Sequence, residues 1–101
     1  MARPAPLIWT APALDDLDEL IAWIALDNEP AARALAERVM AAVERLRHFA
    51  LSGRWVPEVG GDSYREVIVA PCRVIYRREK TKILIVYVVR GERRLRPLRL
   101  R

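Results

Sequence analysis

The chain has 101 residues, of which 52% are apolar and 31% are charged, and its formal net charge is +5. This length predicts a single domain over residues 1–101 and excludes a multidomain enzyme, and the composition is typical of a folded globular protein. Apolar runs stay well short of the roughly 20 residues that a membrane span requires, and no signal-peptide core follows the N-terminal residues. We therefore expect a cytoplasmic protein with no membrane partner.

The cysteine and histidine content limits the chemistry further. Cys72 is the single cysteine and His48 the single histidine, which excludes an internal disulfide framework and a histidine-rich metal cluster. The sequence predicts no metal and no cofactor. We expect Cys72 to be a half-buried turn residue, because no histidine lies near it in sequence to activate its thiol. We expect His48 to have a structural role near a helix end.

Charge is divided unevenly along the chain. Residues 1–50 carry 5 basic and 8 acidic side chains, whereas residues 51–101 carry 13 basic and 5 acidic ones. The first half therefore has a net charge of −3 and the second half a net charge of +8. A positive half of this kind favours a nucleic-acid partner, an acidic protein segment, or both.

The first predicted elements are a short strand and a helix. The segment Leu7–Trp9 combines aromatic and β-branched residues and predicts the strand. Thr10 then offers an N-cap hydroxyl, and Pro12 suits the first helical turn, where its missing N–H costs nothing. Apolar residues recur along this helix at spacings of three and four. They are Leu14, Leu17, Leu20, Ile21 and Ile24.

A second helix follows after a break at Asn28. Pro30 cannot continue a helix interior but is well suited to open a new helix. The apolar stripe of this helix consists of Leu35, Val39, Val43 and Leu46. We expect the helix to end near residues 49–53. The short break predicts an antiparallel helical hairpin, which must bury its apolar stripes against another layer.

Three strands are predicted in the second half, after a loop over residues 54–63. They cover Tyr64–Val69, Arg73–Arg78 and Lys82–Val89, which are rich in Val, Ile and Tyr. Ile83–Val89 is an unbroken apolar run, which favours an interior strand covered on both sides.

The element order β-α-α-β-β-β predicts an α+β domain, a mostly antiparallel sheet with the helical hairpin packed on one face. The other face is expected to be open and lined with arginine. A three-residue loop over 70–72 would place Arg65, Arg73 and Arg77 on one side of the sheet. A two-residue loop over 71–72 would send Arg65 to the opposite side, because side chains alternate along a strand. We favour the three-residue loop.

Four short motifs carry a family resemblance. They are Gly53-Arg54-Trp55-Val56-Pro57-Glu58, Tyr64-Arg65-Glu66-Val67, Arg73-Val74-Ile75-Tyr76-Arg77 and Val89-Arg90-Gly91-Glu92-Arg93-Arg94. Together with the element order, they make the chain resemble the ParE/RelE superfamily of type II toxin–antitoxin toxins over nearly its whole length. The resemblance implies a small bacterial cytoplasmic toxin that a co-expressed antitoxin neutralises in a hetero-oligomeric complex.

Two activities recur in the superfamily, and the resemblance implies one of them. RelE-like members cut mRNA in the ribosomal A site, and ParE-like members poison DNA gyrase. RNA cleavage requires a proton acceptor and a proton donor, and arginine supplies neither because it stays protonated. RelE-like nucleases generally carry a Tyr or His shortly after the last strand, and here no Tyr or His follows Tyr87. The ParE-like branch, with a ParD-like antitoxin, is therefore favoured.

The resemblance suggests different residues for each activity. A ribosome-dependent endoribonuclease acting on mRNA would use Glu58 with Arg65 and Arg73, although Glu58 is also explained as a solvated loop carboxylate paired with Arg54. A gyrase inhibitor would bind its target through arginines of the basic half. These are Arg65, Arg73, Arg77, Arg90, Arg93 and Arg94. In the alternative interpretation, Arg65, Arg73 and Arg77 are solvated arginines of the sheet or pair with Glu66 and Glu79. A degenerate toxin that retains only antitoxin binding is a third alternative.

The antitoxin is expected to lay an apolar and acidic helix against the helical hairpin or the open groove. The residues predicted to contact it are Leu17, Trp23 and Ile24. Trp23 lies off the main apolar stripe of the first helix, so we expect its side chain to be exposed.

The three tyrosines of the second half have two interpretations. Tyr64, Tyr76 and Tyr87 all lie in or beside predicted strands. They are either stacking platforms for nucleic-acid bases or half-buried aromatics of the sheet.

Overall fold

The computed structural model describes residues 3–59 and 63–91. These residues form two helices, α1 over Ala11–Ala25 and α2 over Glu29–Leu46. They also form five strands: β1 over Leu7–Trp9, β2 over Arg54–Trp55, β3 over Arg65–Val69, β4 over Cys72–Glu79 and β5 over Lys82–Arg90. The predicted α+β class is confirmed, with one more strand than the sequence indicated.

All five strands join one sheet in the order β1-β5-β4-β3-β2. β1 runs parallel to β5, and the other three strand pairs are antiparallel. The predicted mostly antiparallel sheet is therefore confirmed. β5 lies between β1 and β4, so the apolar run Ile83–Val89 does form an interior strand.

α1 begins at the capping residue that the sequence predicts, Thr10, and α2 has Asn28 as its capping residue. The Oγ1 of Thr10 accepts a hydrogen bond from the Ala13 N–H at 3.4 Å, and the Oδ1 of Asn28 accepts one from the Ala31 N–H at 3.0 Å. A proline occupies the first turn of each helix. The Thr10 hydroxyl also donates to the carbonyl oxygen of Ile85 at 2.8 Å, which fixes the start of α1 to β5.

The main core lies between the two helices and one face of the sheet. The predicted stripe of α2 is confirmed, because all four members are buried: Leu35, Val39, Val43 and Leu46. α2 ends at Leu46, earlier than the predicted range of 49–53. In α1, Leu14 is exposed and its assignment to the stripe is wrong, because the fully buried Ala13 takes the inward position in that turn.

The hairpin between β3 and β4 has a different register from either predicted one. Its loop is the two-residue pair Ala70-Pro71, whose peptide bond is cis, and Val69 lies opposite Cys72. Arg73 therefore faces away from the helices. A loop one residue longer would have turned Arg73 into the apolar core beside Val69, where its charge has no partner.

The face of the sheet opposite the helices is partly covered, so the prediction of an open face is wrong. Val56 and Val59, which follow β2, pack there against Ile75 of β4 and Val89 of β5 in a second apolar cluster. β2 lies within the predicted loop over residues 54–63, because two residues are too few to show the alternation that predicts a strand.

Candidate functional site

A chain of four charged side chains crosses the sheet face opposite the helices. Arg73, which is 5% exposed, donates from Nη1 to Glu58 Oε1 at 3.0 Å and to Glu66 Oε1 at 2.9 Å. Its Nη2 donates to the second oxygen of Glu58, and Arg54 Nε donates to the second oxygen of Glu66. Two guanidinium groups and two carboxylates thus neutralise each other.

The partner of Glu58 in this network differs from the one that the sequence suggested. Glu58 pairs with Arg73 rather than with Arg54, and it is largely buried instead of solvated. Hydrogen bonding of Arg73 to the Glu58 carboxylate raises the pKa of Arg73 above its ordinary value, despite the opposing effect of burial. Arg73 therefore stays charged, and its charge ties the segment after β2 to the sheet instead of facing a ligand.

Arg65 lies on the other side of the sheet, at the start of β3. It is opposite Tyr76 in the β3–β4 pairing and so faces the helix side. Its Nη1 donates to the carbonyl oxygens of Leu51 at 3.2 Å and Gly53 at 2.7 Å. Its guanidinium lies 3.7 Å from the centre of the Trp55 ring, in cation–π contact. The prediction that Arg65 and Arg73 share a face is therefore wrong.

The remaining predicted arginines do not join either site. Arg77 lies at the surface and pairs with Glu79 at 2.9 Å, and Arg90 lies 5.0 Å from the ring centre of Trp23. Arg93 and Arg94 lie outside the described residues. The described arginines among the predicted target-binding residues therefore do not form one continuous basic patch.

A groove of about 690 Å³ lies between α1 and the end of β5. Its lining includes Trp23, which is 62% exposed and thereby confirms the expected exposure. Asp16 also lines it and accepts a hydrogen bond from the Val88 N–H at 3.1 Å. Of the other two residues predicted to contact the antitoxin, Leu17 is buried in the core and Ile24 is partly buried.

Tyr76 is a core residue and cannot stack on a base. Its side chain is fully buried, and its hydroxyl donates to the Ala50 carbonyl oxygen at 2.8 Å and accepts from the Gly53 N–H at 2.9 Å. Burial raises the pKa of this phenol. Tyr64 and Tyr87 are partly buried in the second apolar cluster, as expected for aromatics of the sheet.

Cys72 begins β4 and is fully buried, deeper than the half-buried turn position that we predicted. Burial raises the pKa of its thiol to about 11, so it is not a nucleophile at neutral pH. His48 is exposed just after α2. Among residues 3–59 and 63–91, there is no group of His, Cys, Asp and Glu side chains suited to a metal ion. None of the described helices is long and apolar enough to span a membrane.

Comparison with known proteins decides the family. The family described as the ParE toxin of the type II toxin-antitoxin system parDE matches residues 7–95. The chain belongs to the ParE toxin family. A solved structure titled "Chromosomal ParDE TA system from P. aeruginosa" superposes with a TM-score of 0.74 at 22% identity and covers 90% of this chain and 100% of that chain. This ParE toxin shares that fold. The search of curated proteins found no match to its sequence.

The pairs Arg73–Glu66 and Arg77–Glu79 agree with the alternative in which the sheet arginines pair with these two carboxylates. Sequence reasoning missed the stack of Arg65 on Trp55. No spacing rule indicates that stack, because it depends on the pairing of β2 with β3.

Proposed function

We infer that this ParE toxin inhibits bacterial DNA gyrase by binding to it, and that a ParD-like antitoxin neutralises the toxin in a cytoplasmic hetero-oligomer. One observation carries the inference. Glu58 is held by Arg73, and Arg65 lies on the opposite face of the sheet. This separation supports a binding inhibitor over a ribonuclease, because the three residues needed for RNA cleavage would have to surround one phosphate.

The groove between α1 and β5 is the proposed antitoxin site. Trp23 offers a large exposed ring there, and the partly buried Ile24 lies beside it in α1. Exposed tryptophan side chains are frequent anchors of protein interfaces. An amphipathic antitoxin helix laid along α1 would cover the Trp23 ring and bring its acidic side chains near Arg90.

Purified toxin added to gyrase supercoiling and cleavage assays tests this function. We expect inhibition at micromolar toxin and its relief by the antitoxin. A Trp23→Ala variant is the matched control: it should inhibit gyrase as the wild type does but need more antitoxin for relief. Supercoiling that continues unchanged, with toxin that still binds its antitoxin, contradicts the gyrase assignment.

A further inference from the structure

The connection between α2 and β2 is an irregular segment that is firmly anchored. The hydroxyl of Tyr76 binds it from beneath, through the Ala50 carbonyl oxygen at 2.8 Å and the Gly53 N–H at 2.9 Å. Arg65 binds it from the side, through the carbonyl oxygens of Leu51 at 3.2 Å and Gly53 at 2.7 Å. Four hydrogen bonds therefore fix the backbone of this segment in one conformation.

Large apolar side chains project outward from this anchored segment. Phe49 is 62% exposed, Leu51 is 61% exposed, and Trp55, at the end of β2, is 44% exposed. We call Phe49, Leu51, Trp55 and Arg65 together the turn surface. Large apolar groups exposed on an anchored segment are typical of protein interfaces, because little conformational entropy is lost on binding.

The charge of the turn surface is positive. Arg54 and Arg73 are balanced by Glu58 and Glu66 in the network across the sheet. In contrast, Arg65 has no carboxylate partner among the described residues, because its bonds go to backbone carbonyl oxygens through Nη1 alone. Its Nε and Nη2 can therefore donate hydrogen bonds to a carboxylate of another molecule.

The turn surface is separate from the groove that we assign to the antitoxin. α1 packs on β5, beside the groove, whereas α2 packs on β3. β4 lies between β5 and β3 in the sheet. A protein bound along α1, beside β5, therefore leaves the turn surface beside β3 accessible.

We propose that the turn surface docks an acidic, apolar protein segment of the toxin's target. A carboxylate of that segment binds Arg65, and its apolar side chains pack on Phe49 and Leu51. One cation among three large apolar groups suits a protein better than a nucleic acid, whose binding depends on several cations that contact phosphates. The proposal rests on the proposed function in one respect, namely that the toxin acts by binding a larger protein.

A double variant, Phe49→Ser with Leu51→Ser, tests the proposal in the full chain. We expect its inhibition of purified gyrase to weaken by about tenfold or more, the effect of losing one strong interface contact. Its affinity for the antitoxin should stay within about twofold of wild type, as for a surface change away from that interface. The matched variant Trp23→Ala should show the reverse pattern. An unchanged unfolding midpoint verifies that the double variant is folded. If the midpoint falls, the single variant Leu51→Ala is tested in its place.

Three results would overturn the proposal. In the first, the double variant inhibits gyrase as strongly as the wild type does. In the second, the double variant still inhibits gyrase but has lost affinity for the antitoxin. In the third, it still inhibits gyrase but has lost affinity for duplex DNA or RNA. If wild-type toxin stops growth without affecting gyrase, the gyrase assignment alone fails. Growth then decides the proposal: the double variant must permit colonies when it is expressed, and continued arrest contradicts a role for the turn surface.

Discussion

Three of the described arginine side chains have different environments. Arg73 is buried and neutralised by two carboxylates, Arg65 is stacked on Trp55 and bound to carbonyl oxygens, and Arg77 forms a surface pair with Glu79. The positive charge exposed to a partner is therefore smaller than the number of arginines in the sequence suggests. Only arginines without a carboxylate partner are available to attract an acidic target.

Replacement of Arg73 by methionine should lower the free energy of unfolding by about 3 kcal/mol, the low end for removing one member of a buried ion pair. The low end applies because Arg54 still pairs with the buried Glu66. Arg77→Met is the control and should cost less than about 1 kcal/mol, since its pair is solvent-exposed. Urea unfolding of both variants measures the difference. Equal decreases in the free energy of unfolding would show that the buried Arg73 network contributes no more to stability than an exposed ion pair.

At the scale of elements, the segment between α2 and β2 depends on a close approach of backbone and ring. A Cβ atom at Gly53 would lie 2.5 Å from the Tyr76 hydroxyl oxygen and 2.8 Å from the Glu66 carbonyl oxygen. Both atoms are held in place, one by hydrogen bonds and the other by the sheet. Glycine is therefore required here for space.

Gly53→Ala should destabilise the fold by about 1–3 kcal/mol, the usual cost of overpacking a filled site. Gly91→Ala is the matched control, because a Cβ there would come no nearer than 3.3 Å to the Pro71 carbonyl oxygen. Thermal unfolding of the two variants measures the contrast. A Gly53→Ala midpoint equal to that of Gly91→Ala would mean that the segment moves freely, and it would also weaken the case for an anchored turn surface.

Local patterns in the sequence predict the helices, their caps and the interior strand, because each of these depends on residues close in the chain. The α2 stripe and the Thr10 cap are examples, and the exposure of Trp23 follows from the same periodicity. The register of the β3–β4 hairpin could not be predicted this way. It depends on which side of the sheet the helices cover, and that choice turns Arg73 toward Glu58 and away from Arg65.

On the scale of the whole molecule, the toxin presents two separate surfaces, one beside β5 and the other at the start of β3. Each described carboxylate of the basic half is paired with an arginine: Glu58, Glu66 and Glu79. The surplus of positive charge in that half is thus left for partners, while α1 offers Trp23 beside acidic side chains. This arrangement suits a small protein that binds an antitoxin at one surface and a larger target at another.

The most direct test of a binding inhibitor of gyrase is expression of the chain alone in bacteria, with DNA synthesis and protein synthesis followed together by labelled thymidine and labelled leucine. We expect thymidine incorporation to fall first, with leucine incorporation continuing until replication has stopped. The account is contradicted if leucine incorporation falls first and new mRNA ends appear at codon boundaries. If those ends disappear in a Glu58→Ala variant, the toxin cuts RNA on the ribosome.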